Sequence, residues 1–201
     1  MLRKILPVLA VVLVGSAAPL TAQTTGTPVF LAPYRAFDRV EFGGSVSDPG
    51  SGFALEGFYR WGARKYDFGF RGGFASPDGG ETRFLVGADF RTRVVDHSED
   101  FPLDGAFTLG IGADFGDGAT RARIPVGISL GRRVQLEDSN VQFVPYIHPV
   151  LGPVFGDNSD TNLDFAVGLG VDVTINRRFE LRVSAALGDY EGVGISFAFL
   201  R

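Results

Sequence analysis

Cysteine is absent from the 201-residue chain. That excludes a disulfide framework, a thiolate metal site, a cysteine nucleophile and a lipoprotein anchor on an N-terminal cysteine. Histidine occurs only at His97 and His148. Basic residues are not in excess either: 19 Lys and Arg stand against 23 Asp and Glu, with a pI near 5.2. No polyanion partner is therefore expected, and no nucleic acid. Charged residues make up 21% and apolar ones 45%, too little charge and too much apolar surface for a disordered chain. Long apolar runs are missing from 23–201, so no membrane helix is expected there. What abounds is glycine, 28 residues, without the period that collagen requires. The length suits one domain.

The chain opens with Met1, Leu2, Arg3 and Lys4, then an apolar run over 5–14, then small residues as far as Leu20, Thr21 and Ala22. A basic start, a short apolar core and a small residue before the cut form the pattern of a secretory signal. The run falls short of the roughly 20 apolar residues of a membrane span, and Pro7 and Gly15 interrupt it. Residues 1–22 are read as a signal peptide cleaved after Ala22, 23–37 as a periplasmic lead-in or an extension of the first strand, and 38–201 as one domain.

From Asp38 onward, large apolar residues alternate with small or polar ones at a period of two, which marks strands with two unlike faces. Ten segments follow: 38–47, 53–61, 66–76, 82–94, 105–115, 121–131, 141–155, 163–175, 179–187 and 193–200. Turn formers separate them, as at Asp48-Pro49-Gly50 and Pro77-Asp78-Gly79-Gly80. The predicted fold class is all-β, a closed antiparallel up-and-down barrel of consecutive hairpins. Pro145, Pro149 and Pro153 each remove a backbone donor within 141–155. The count is ten strands, or eight if that stretch and a neighbour are not spans.

Segment 163–175 sets Leu163, Phe165, Val167, Leu169, Val171 and Val173 against Asp164, Ala166, Gly168, Gly170 and Asp172. Segment 105–115 repeats the arrangement, with Phe107, Leu109 and Ile111 opposite Gly110, Gly112 and Asp114. A soluble sandwich would bury the large face and turn good strand formers toward water. Glycines weaken an exposed strand, but they suit the crowded inside of a narrow barrel. The large residues then need lipid as their solvent. Closure also removes unpaired edges, one of the two ways a backbone crosses a bilayer. The segments run to about 11 residues, close to the ~9–11 of a tilted span.

The last strand carries Gly194, Phe197 and Phe199, the two aromatics one residue apart. It resembles the C-terminal signal read by the outer-membrane assembly machinery, a glycine followed by two hydrophobic or aromatic residues spaced by one. It departs from that signal in having Gly192 at the usually polar first position and in running on through Leu200 and Arg201. With the export signal, the chain resembles the small bacterial outer-membrane β-barrel family. The resemblance implies a place in the outer membrane, with outer-membrane lipid and the assembly machinery as partners. It implies little about activity.

An even strand number puts both ends of the wall on the periplasmic side. The opposite turns then hold Asp48, Asp78, Glu81, Asp117, Asp157, Asp160, Asp189 and Glu191, with no Lys or Arg. The alternation points Arg39, Glu41, Glu56, Arg60, Asp67, Arg71, Arg83, Asp89, Arg91, Arg93, Asp114, Arg121, Arg123, Asp164, Asp172, Glu180 and Arg182 inward, nine arginines and eight acids. Buried charges must be paired or wet, and arginine grips carboxylates with two N–H groups. Cross-barrel ion pairs filling a largely plugged lumen are therefore expected. The alternatives are a thin, porin-like diffusion channel and a soluble periplasmic ligand-binding barrel. His97 and Ser98 fall in a turn, and His148 has no serine beside it in sequence, so neither offers an acyl-hydrolysing pair. The expected protein is a monomer without enzymatic activity, cofactor or metal, in a structural or binding role.

Overall fold

The structure is a computed structural model and describes residues 29–35, 37–48, 52–116, 119–136, 139–156, 159–189 and 191–201. The expected export signal, with its cleavage after Ala22, lies outside the described residues, as do Asp117 and Asp157 of the acidic turns. No helix occurs among the described residues.

The strands are β1 Glu41–Asp48, β2 Phe53–Ala63, β3 Tyr66–Ser76, β4 Arg83–Val95, β5 Asp104–Gly116, β6 Ala119–Arg123, β7 Val126–Gly131, β8 Val134–Gln135, β9 Gln142–Gly156, β10 Ser159–Asn176, β11 Phe179–Gly188 and β12 Gly192–Leu200. All pair antiparallel. β6 and β7 lie end to end between β5 and β9, and both pair with each of them, so together they form one wall strand. β8 is a two-residue pairing with β9 at the barrel's end. β12 returns to β1 in register from Glu41↔Leu200 to Asp48↔Val193. The result is a closed barrel of ten wall strands. The eight-strand alternative falls.

The proline-rich stretch explains itself by edges. Within one strand residue, N–H and C=O point to the same side, and the side alternates along the chain. The carbonyls of Pro145 and Pro153 accept from the N–H groups of Arg132 and Ile124. The donors missing at Pro145, Pro149 and Pro153 therefore all face the β6–β7 edge. There the ladder skips from Gly127↔Val150 to Leu130↔Ile147. The opposite edge is intact, because β9 pairs with β10 from Thr174↔Gln142 to Asn162↔Val154. Ile124 and Pro125, at the break between β6 and β7, press onto Gly152 so closely that a Cβ there would overlap them.

Parity decides what each side chain meets. Phe165, Leu169, Ile111 and Phe197 stand on the outer surface, each about two-fifths to three-fifths exposed. Glu41, Glu56, Arg60, Asp89 and Asp172 point inward and are buried. β9 breaks the rule by being apolar on both faces, with Val144, Tyr146, Val150 and Val154 buried inside.

That inner apolar face has a partner. Phe30, Leu31, Ala32, Pro33, Tyr34, Arg35 and Phe37 are buried, and residues 30–34 touch inward-facing residues of β4, β7, β9 and β10. The described part of 23–37 is thus neither a periplasmic lead-in nor an extension of β1. It folds back into the lumen, where Phe30, Ala32 and Tyr34 form an apolar cluster with Val144, Tyr146 and Val150. Its apolar side chains gain cover there that neither water nor an edge of the closed sheet supplies.

Candidate functional site

The lumen is crossed by an ionic network centred on two arginines. Arg60 on β2 meets Glu41 of β1 at 3.4 Å, Asp89 of β4 at 2.5 Å and Asp67 of β3. Asp67 also takes Nε of Arg91 at 2.8 Å and lies 3.9 Å from Arg35. On the other side, Arg182 of β11 donates to both oxygens of Glu41 at 3.0 Å and to Glu180 at 2.6 Å, with Asp172 at 3.7 Å. Thr174 donates to Glu180 at 3.0 Å. Glu41 therefore joins the two halves. The same residue types pair again toward the far end. Arg83 Nε donates to Asp114 at 2.7 Å, with Arg123 at 3.7 Å, and Arg71 stands 3.5 Å from Glu56. Near the end that carries β1's start, Arg93 holds Asp96 at 2.6 Å and also Asp104, which receives His97 Nδ1 at 3.0 Å. Phe58 points inward as well, beneath the guanidinium groups of Arg71 and Arg182 at 5.9 and 5.6 Å.

The inserted segment is held along its backbone. The Leu31 N–H donates to His148 Nδ1 at 3.1 Å, Ser129 Oγ donates to the Leu31 carbonyl at 2.5 Å, and the Tyr146 hydroxyl donates to the Phe30 carbonyl at 3.2 Å. Arg91 donates to the Ala32 carbonyl. Arg35 donates to the carbonyls of Arg39 at 2.5 Å and Gly62 at 3.0 Å. Phe30 meets the His148 ring edge-on at 5.7 Å. Two glycines of β10 make the space: a Cβ on Gly168 would overlap the Phe30 ring, and one on Gly170 would overlap Tyr146. Tyr34 lies between Arg133 and Arg93, whose guanidinium carbons are 4.5 and 5.3 Å from its ring centre. Burial pushes its hydroxyl up to about 12 against the opposing pull of Arg133, so the ring stays neutral between two cations.

His148 has a fixed tautomer. An amide N–H only donates, so Nδ1 must present a lone pair to Leu31 and the proton sits on Nε2. Nε2 then donates to Thr108 Oγ1, 2.8 Å away. A ring nitrogen already carrying its proton cannot take one from Thr108, so this pair is no activated nucleophile. Among the described residues no group of three or more His, Asp or Glu side chains has the arrangement of a metal site.

Three of the residues read as inward stand apart. Arg39 precedes β1 and is exposed at the barrel's end, because the strand begins only at Glu41. Arg121 shares the face of Asp114 by register but lies exposed at the opposite mouth. Asp164 is half-buried on the inner face opposite Gly152 and makes no ion pair among the described residues. Sequence reasoning missed Arg35, Tyr34, Asp104 and Ser129, all turned into the lumen, and it assigned no partner there to Thr108 or His148. The signal for the inserted segment was present in two places: the apolar stretch around Phe30 and Leu31, and the doubly apolar β9. Of the terminal residues, Gly194 is buried against β1, while Phe197 and Phe199 stand outside around Phe179 at 6.0 and 5.2 Å.

A family model described as the outer membrane protein beta-barrel domain matches residues 8–197. The chain belongs to this family. The outer membrane barrel accordingly lies in the outer membrane, with its belt of Phe, Leu, Ile and Val against lipid. The soluble ligand-binding alternative is set aside with it. No curated protein matches the chain. Of the solved structures it resembles, a bacterial polysaccharide outer membrane secretin shares 12% identity at a TM-score of 0.48, covering 84% of this chain and 68% of that one. The β domain of the Bordetella autotransporter BrkA shares 10% identity at a TM-score of 0.44, covering 82% of this chain and 100% of that one.

Proposed function

We propose that this outer membrane barrel is a sealed, non-enzymatic monomer with a structural or binding role, rather than a diffusion channel. One observation carries the reading: residues 29–35 occupy the lumen, tied by hydrogen bonds between their backbone and side chains of β4, β7 and β9. The ionic network supports it, because Arg60 and Arg182 bridge carboxylates of β1, β3, β4, β10 and β11 across the same interior. His148 turns a protonated Nε2 to Thr108 and so offers that hydroxyl no base, which supports the absence of hydrolytic chemistry at this pair. The exposed terminal aromatics of β12 suit recognition by the assembly machinery.

Planar-bilayer recording tests the reading. The intact protein is expected to give no steady steps, and the variant lacking 29–35 is expected to conduct. Large, steady single-channel steps from the intact protein would overturn it.

A further inference from the structure

Among the described residues the arginines inside the lumen pair with carboxylates, whereas one end of the barrel gathers several that do not. At the barrel end where β1 begins, a cavity of about 920 Å³ is bordered by Arg39, Arg133, Arg177 and Arg178, and Asp38 is its single acidic lining residue. None of these four arginines has an ion pair among the described residues, and Asp38 instead leans 4.0 Å from Arg64. Arg133 is held in place: its guanidinium lies 4.5 Å over Tyr34 and donates to the Arg35 carbonyl at 3.4 Å. The turn bearing Arg178 is pinned by its own N–H, which donates to the Asn176 side chain at 2.8 Å. Like charges gathered around a polar hollow repel one another unless an anion sits between them.

The shape of the neighbouring surface says which anion. Arg39 also borders a groove of about 640 Å³ on the outer wall, together with Val40, Trp61, Tyr66 and Phe68. Trp61 and Phe68 pack at 6.0 Å and form the apolar wall of that groove. A soluble phosphate ester would use the guanidinium groups and leave this wall unused. A phospholipid uses both, with its phosphate at the arginines and its acyl chains along the rings. We propose that this end of the barrel binds the phosphate headgroup of an anionic phospholipid of the periplasmic leaflet.

The test is native mass spectrometry of the full chain in zwitterionic detergent, with phosphatidylglycerol or phosphatidylcholine added. The wild type is expected to retain phosphatidylglycerol several-fold better. R39Q/R177Q/R178Q is expected to lose about a hundredfold of that retention, since one arginine near an anionic surface contributes roughly fivefold. R177Q/R178Q, confined to an exposed turn, is the companion variant should the triple variant not fold, and it is expected to lose about twentyfold. Unshifted gel migration before heating shows that each variant is folded. Equal retention of the two lipids by the wild type would overturn the proposal, and so would undiminished preference in a folded variant. Complete displacement of the lipid by millimolar glycerol phosphate would overturn the lipid identity, because the apolar wall would then contribute nothing.

Discussion

Arg60 shows how much one residue can carry inside a narrow barrel. Asp89 has its ion pair with Arg60 alone among the described residues, whereas Asp67 keeps Arg91 and Glu41 keeps Arg182. Arg60→Ala therefore strands one buried carboxylate outright and weakens two others. A loss of about 3–5 kcal/mol is expected in denaturant unfolding from micelles. Arg60→Ala with Asp89→Asn is expected to recover part of that loss, because the stranded charge is gone. A coupling of zero would show that the pair contributes nothing. Gly168→Val tests the inserted segment instead. Its side chain needs the volume of the Phe30 ring, so the segment is expected to leave and expose Arg35, which is buried in the native barrel. Limited trypsin digestion should then cut after Arg35 many times faster than in the wild type. The inward direction of Glu41, Asp67 and Asp172 was legible from parity alone. That of Arg35 was not, because it belongs to no strand.

Elements fail or hold by their edges. β9 tolerates three prolines because all three missing donors fall on the edge toward β6 and β7, where the ladder is already interrupted. Pro149→Ala returns an N–H to that edge and is expected to stabilise the barrel by no more than about 1 kcal/mol. Hydrogen exchange should show the new amide at position 149 protected, and free exchange there would contradict the edge assignment. On the wall's outer side, Leu169 lies near the middle of β10 and faces lipid. Leu169→Arg is expected to cost about 2–4 kcal/mol, the penalty of a cation at mid-membrane depth, measured as lost unfolding free energy in lipid vesicles. The expected segment 121–131 was legible as one span but not as two pieces. Pro125 was its visible sign, whereas the inward press of Ile124 and Pro125 on Gly152 depends on a strand 27 positions away.

At the scale of the whole molecule the wall and its filling are separable. Each of the ten wall strands has two neighbours without help from residues 29–35. The barrel lacking those residues is therefore expected to fold, with heat-modifiable gel migration, but at a lower unfolding midpoint. Loss of apolar cover on Val144, Tyr146 and Val150 sets the direction, at about 1.5–3 kcal/mol for each large side chain left unburied. A truncated chain that never shows the folded band would mean the segment is needed to build the wall. The alternation of the chain determined the wall by itself, strand by strand, because the face of every strand residue follows from its parity and the two faces meet different solvents. Only the tertiary structure decided what fills the lumen. Leu31 and His148 meet across 117 positions of sequence, and a segment outside the strands carries no period that could announce such a contact.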